Sequence, residues 1–283
     1  MIRNFFFVLI LLASTCQTPP PEQESAVRTT MPANYEELVT LFKEWRTFEE
    51  PPIREGAPDY TAKTFDQRLP QFKALQNRLL AMDIESWPLK EQIDWVIIWA
   101  EMNGYDFNYR VLQPWKRDPA FYKNVWTYRS DVPAHEGPTN HATTELWTYT
   151  FPLSEKERAR LINDLGVIPP LNAQAKLNLT GNAKDLWVAG IRDIKGQGED
   201  LKSILEQPGV NTDEELKTTA KNAIQATDEL ANWLESEAPN KTGPSGIGKE
   251  NYTWYLHNVH LVPLTWEDEV MILKRELARA WYS

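Results

Sequence analysis

The 283-residue chain is 42% hydrophobic and 25% charged, which is enough apolar material for a real core in one large domain or two ordinary ones. Its net charge of −10 argues against nucleic acid as a partner, because phosphate neutralisation needs a basic face. A single cysteine, Cys16, excludes an intramolecular disulfide.

The N-terminus opens with one positive charge, Arg3, followed by the apolar run FFFVLILLA at 5–13. That run is too short for a transmembrane helix and has the form of a signal-peptide h-region. The following Ala13-Ser-Thr-Cys16 resembles a bacterial lipoprotein signal with Cys16 as the lipidated residue. Thr15 and Ala13 depart from the usual Gly or Ala and Leu at their positions, and an ordinary cleaved secretory signal is the alternative. Both readings make the protein exported, and the first anchors it by lipid to a bacterial membrane in the cell envelope. Residues 17–32 are polar and Pro-rich and read as a flexible tether. A helical domain is expected over 33–283.

Asn34, with Glu37 three residues on, predicts a helix start. Leu38, Leu41, Phe42, Trp45 and Phe48 follow at helical spacing until Pro51 and Pro52. A second helix of about 18 residues carries Phe65, Leu69, Phe72, Leu75, Leu79 and Leu80. Pro88 opens a third, with Ile93, Val96, Ile97 and Ala100 as its expected inner face and a central position expected for it. Residues 113–153 hold Pro114, Pro119, Pro133, Pro138 and Pro152 and predict a long ordered loop, a kind of segment that is often functional.

Ser154 and Glu157 form a capping-box pattern, and Pro169-Pro170 is expected to break the helix it starts. Asn182 is expected to cap a helix carrying Leu186, Ile194, Leu201 and Leu205. Thr212 is expected to cap another, with Leu216, Ala220, Ala223, Thr227, Leu230 and Leu234, closed by Pro239. Thr265 caps the last helix, through Ala280. Only 252–264 hints at a two-residue period. The expected fold is all-α: an antiparallel multi-helix assembly with one long Pro-rich ordered loop. The high Trp count of 12 reads as aromatic anchors in that core, and alternatively as a stacking surface for glycans.

The most informative stretch is 243–260. Its Gly-Pro-Ser-Gly-Ile-Gly turn lets backbone approach a ligand closely. Lys249, Tyr252, Tyr255, His257 and His260 then follow at spacings that share a helical face. The turn lacks the spacing of a P-loop, and Ile247 replaces the second Gly of a nucleophile elbow. A plain turn between helices is the alternative. His257 and His260 could meet a metal from one helix face, but Asn258 stands where a zincin has Glu and no third ligand is placed by spacing. No metal ligand is therefore assigned. Asp131, His135, Glu136, His141 and Glu145 form a second cluster of ligand types, equally readable as polar residues that fix the loop. Arg275, Glu276 and Arg279 read as a solvated face.

Six segments form one ordered pattern: 58–61 (PDYT), 100–107 (AEMNGYDF), 113–122 (QPWKRDPAFY), 130–138 (SDVPAHEGP), 178–187 (NLTGNAKDLW) and 243–255. Together they resemble the bacterial domain-of-unknown-function 885 family, from about Phe42 to the last residue. The resemblance implies a mostly helical, zinc metallopeptidase-like protein with a cleft between helical layers. It implies the N-terminal half only, because the family's His-Glu…Gly-His zinc motif does not occur here; His141 comes too late after His135-Glu136. By resemblance, Ser245, Gly246, Gly248, Tyr252 and Tyr255 face a peptide-like substrate. No catalytic residue is assigned, zinc is expected only in a full-length relative, and the chain is expected to be inactive unless a second chain supplies the zinc half. The alternative function is a Trp-rich surface binding module for peptides or glycans, and a weaker third is an interaction partner without a ligand.

Overall fold

The computed structural model describes residues 31–32, 34–129 and 140–282. The signal segment, Cys16 and all of the expected tether except Met31–Pro32 lie outside the described residues, as do Asp131, His135 and Glu136. The architecture is all-α, with 71% of the structure helical.

Three helices form the first layer: α1 (Tyr35–Glu49), α2 (Ala62–Leu80) and α3 (Leu89–Phe107). Asn34 caps α1 as expected, its side chain accepting the Glu37 amide at 3.0 Å. The stripe of α1 buries Leu38, Leu41, Trp45 and Phe48 against Phe72, Leu75 and Leu79 of α2 and Ile98 and Met102 of α3. Trp45, Phe48, Phe72 and Tyr105 meet ring to ring, with centroids 4.8–6.2 Å apart; such geometry adds to area burial alone.

The expected inner face of α3 is corrected here. Ile93 is 49% and Ile97 47% exposed, and Leu89 one turn earlier is 72% exposed. The helix is apolar on more than one side, so periodicity alone could not select the face. Of the expected face only Ala100 is buried; the buried side runs through Ile98, Ala100, Met102, Asn103, Asp106 and Phe107. Asp106 is satisfied by Lys73 at 2.7 Å and Arg110 at 2.6 Å. A π-helical turn, Asn108–Leu112, prolongs α3. Gln113, at φ 42, ends it in the left-handed region.

The described residues of the 113–153 segment form short pieces: α4 (Pro114–Arg117), a 3-10 turn over Pro119–Tyr122, another over Leu146–Thr148, and a strand at Val125–Trp126 paired with one at Thr144–Glu145. It is anchored from a distance. Gln197 Oε1 accepts the buried amides of Asn124 (2.8 Å) and Val125 (3.0 Å).

The second layer comprises α5 (Glu155–Gly166), α6 (Ile168–Asn178), α7 (Lys184–Ile204) and α8 (Glu214–Glu237). Ser154 and Glu157 make the expected capping box. Pro169-Pro170 opens α6 rather than merely ending α5; proline is tolerated in a first turn, where no intrahelical amide donor is lost. Lys195 pairs with Glu235 and Lys202 with Asp228, so α7 and α8 run antiparallel. They enclose two clusters, one around Trp187, Leu230 and Leu234 and one around Leu201, Leu216 and Ala220. Asp213, not Thr212, caps α8, accepting the Leu216 amide at 3.0 Å.

The last layer is α9 (Lys249–Asn258) and α10 (Trp266–Tyr282). Helix overrides the two-residue period suspected at 252–264 as far as Asn258, and 259–264 is irregular. Thr265 caps α10 reciprocally with Asp268. No residue of α10 is buried, and Met271, Leu273, Leu277 and Trp281 stand exposed. Extended pairing is minimal among the described residues. Met31–Pro32, expected within the tether, pairs with Met82–Asp83, and Ile53–Arg54 pairs with Ala57–Pro58. No described helix is long and apolar enough to cross a membrane.

Candidate functional site

The glycine-rich turn is held by its own chain. Asn182 does not cap α7, because its Oδ1 instead accepts the amides of Thr242 and Gly243, both at 2.7 Å. Ser245 takes over that duty. Its Oγ accepts the amides of Asp185 (2.8 Å) and Leu186 (3.2 Å), two of the orphan donors at the start of α7. Arg117 donates to the Ser245 carbonyl at 3.0 Å and Lys241 to the Gly181 carbonyl at 3.0 Å. Gly243 is required by space: a Cβ there would lie 2.5 Å from the Asn182 carbonyl oxygen. Gly248, at φ 86, turns the chain into α9.

Five residues were expected to face substrate, and they part company. Ser245 is committed to the α7 N-terminus. Gly246 has open space around its Cα, and Gly248 sits at the entry to α9. Tyr252 is exposed and donates its hydroxyl to Glu269 of α10. Tyr255 alone reaches a cavity, and it does so because α9 lies on α3. Trp254 stacks on Phe107 at 5.4 Å, Tyr255 meets the same ring at 4.9 Å, and Asn103 donates to the Asn258 carbonyl.

That cavity is a cleft of about 350 Å³ between the first layer and the loop segment, a volume in the range of small-ligand sites. One wall is charged. Arg46 bonds Glu49 at 2.7 Å and Glu101 at 3.1 Å, and one oxygen of Glu101 is buried without a partner among the described residues. Burial pushes the Glu49 carboxyl upward, with the nearby Glu101 charge adding, against the pull of Arg46. Arg68 donates through Nη2 to the carbonyls of Phe48 and Glu50, and its guanidinium lies 4.5 Å over the Phe48 ring.

The facing wall is aromatic. Phe65 and Trp115 stack at 3.7 Å, and Tyr60 meets Phe121 edge to face at 4.8 Å. Tyr105, Asn108 and Tyr109 complete the lining from α3 and its π-turn, a local geometry that often accompanies functional sites. His141 stands at the mouth. Its amide donates to the Tyr60 hydroxyl at 2.7 Å. Desolvation on its protein side lowers the imidazole pKa; Arg68 lowers it further and Glu50 opposes.

Several motif segments converge here. Gln174 and Asn178 of α6 hold Tyr60 from both sides: Gln174 Oε1 accepts its amide at 2.5 Å and Asn178 donates to its carbonyl at 3.0 Å. Asn178 also donates to the Tyr122 hydroxyl, which donates in turn to the Trp115 carbonyl at 2.8 Å. Residues 58–61, 113–122, Asn178 and Tyr255 thus meet around one opening. Arg46, Arg68 and Glu49 carried no local signal, since each reads as a solvated helical charge, and Glu101 was marked only by its place in the 100–107 segment; the packing of three helices brings them to one wall.

Among the described residues no group of three or more His, Cys, Asp and Glu could hold a metal ion. His257 and His260 are exposed, and His260 lies against the Tyr255 ring at 4.8 Å. Comparison with known protein families, with curated proteins and with solved structures gives no match.

Proposed function

We propose that this chain is the substrate-binding, helical part of an exported, lipid-anchored protein related to zinc metallopeptidases, and that its cleft takes a peptide-like ligand. One observation carries the reading: a single opening joins an aromatic wall to a wall of charged side chains, and Tyr255 enters it from the helix that follows the glycine turn. An extended peptide offers both apolar side chains and a backbone rich in donors and acceptors, which matches such a mixed lining. In this reading Cys16 carries the lipid, and zinc with its hydrolytic step belongs to a part supplied from outside residues 34–282, a separate chain included.

The glycan alternative draws less support. Trp45 and Trp187 are fully buried, Trp87 and Trp115 are nearly so, and only Trp147 and Trp281 are markedly exposed. The test is titration of the purified full chain with a mixture of short peptides, followed by tryptophan fluorescence and calorimetry. Saturable peptide binding that weakens on Trp115→Ala supports the proposal. Binding of oligosaccharides that depends on Trp281, with no response to peptides, overturns it.

A further inference from the structure

We propose that the cleft selects a ligand carrying a free carboxylate, with Arg68 as its anchor and the Phe65–Trp115 pair as the surface for the adjacent apolar side chain. This rests on the peptide reading above and deepens it: the substrate class becomes peptides recognised through their C-terminal end.

The two arginines of the cleft are in opposite electrostatic states. Arg46 is matched by two carboxylates, Glu49 and Glu101. Arg68 has no carboxylate within 4.0 Å among the described residues and donates only to backbone carbonyls. A guanidinium has five N–H donors in a planar fork that suits a carboxylate. Both bonds of Arg68 use Nη2, so Nε and Nη1 keep their donors. A partly buried cation with no counter-ion beside it favours an incoming anion, because the surrounding protein screens charge less than water does.

The neighbours supply the rest. Phe65 and Arg68 stand three apart on α2 and so share a helical face. Trp115 extends the Phe65 ring into a flat apolar surface. The Tyr105 hydroxyl makes no hydrogen bond among the described residues, and neither does the His141 imidazole; both line the same opening. An anchoring cation, spare donors and an apolar platform at one opening are what a terminal carboxylate with a hydrophobic side chain requires.

The experiment compares a short peptide ending in Phe as the free acid with its C-terminal amide, and with a free-acid peptide that ends in Gly, all titrated into the full chain. The free acid is expected to bind at least tenfold more tightly than the amide. Arg68→Gln should abolish that ratio while Arg68→Lys keeps part of it, and the Gly-ended acid should lie between. Because Arg68 also holds two backbone carbonyls, thermal unfolding accompanies each variant; His141→Gln, which removes neither of those bonds, should lower the ratio two- to threefold. Equal binding of acid and amide by the unaltered chain overturns this inference and leaves the peptide reading standing. Binding of neither overturns both. A response to acetate or phosphate as strong as to the peptide acid overturns peptide-end recognition in favour of a small-anion site.

Discussion

Ser245 caps a helix far before it in the chain: its Oγ accepts the amide of Asp185, 60 residues earlier, at 2.8 Å. The same oxygen takes the Leu186 amide, so one hydroxyl satisfies two donors at the α7 N-terminus. Ser245→Ala should cost about 1 kcal/mol of unfolding free energy, the usual loss for a capping hydroxyl. Urea denaturation checks it. Ser245→Asp should retain most of the stability, since an acid at a helix N-terminus also meets the dipole favourably. Equal stability of the Ala variant and the parent would show that the cap contributes nothing.

The glycine turn gives a contrast within four residues. Gly243→Ala would drive a methyl to 2.5 Å from the Asn182 carbonyl oxygen, whereas Gly246 has nothing within 4 Å. Gly243→Ala should destabilise by about 1–3 kcal/mol, as overpacking does. Gly246→Ala should be neutral or slightly stabilising, because it narrows the unfolded ensemble. Melting temperatures of the two variants, measured side by side, decide the matter; similar losses at both sites would contradict the geometry.

Gln197 is a polar side chain in the interior whose Oε1 holds two buried amides of the loop segment. Gln197→Leu leaves both donors unpaired and should cost about 2–5 kcal/mol, the desolvation penalty of two orphaned groups. Gln197→Glu keeps the acceptor but buries a charge, so it should recover stability only as pH falls. Denaturation at pH 5 and pH 8 separates the two variants.

Asp118 predicts a pH dependence. Burial raises its pKa to about 6 from an ordinary 3.8; the Ala120 amide and Arg117 oppose and Asp193 adds. The folded state therefore holds the proton more tightly than the unfolded chain does. Stability falls as pH rises from about 4 to about 6, and the loss is complete above that window. Asp118→Asn keeps an acceptor for the Ala120 amide, now at 2.9 Å, and should gain about 2 kcal/mol at pH 7. The same slope between pH 4 and pH 6 in parent and variant would refute the assignment.

Much of the secondary structure was legible because its signals are local. Asn34, Ser154 and Thr265 announce helices within four residues of themselves, and each does cap one. Failures came where a distant segment decides. Asn182 looked like a cap but braces 242–243, and Ser245 takes the helix end instead. In α3, several apolar stripes competed, and the neighbouring helices chose the one through Ile98 and Met102. The site followed the same rule. Tyr255, expected at a cleft by resemblance, lines this cavity, and Arg68 and Glu101 join one wall only once α2 and α3 lie together.

The clamp at α7 also sets an order of events. Arg117, Asn182 and Ser245 come from three separated stretches, with 128 residues between the first and the last. A chain leaving the ribosome from its N-terminus presents α7 well before Ser245 has been made. Until then the start of α7 has open amides and the glycine turn does not exist to cover them. The first layer can close early on contacts near in sequence, whereas the clamp must wait for distant ones. A chain halted before Gly243 has emerged would thus have the start of α7 uncovered and its binding cleft still lacking Tyr255.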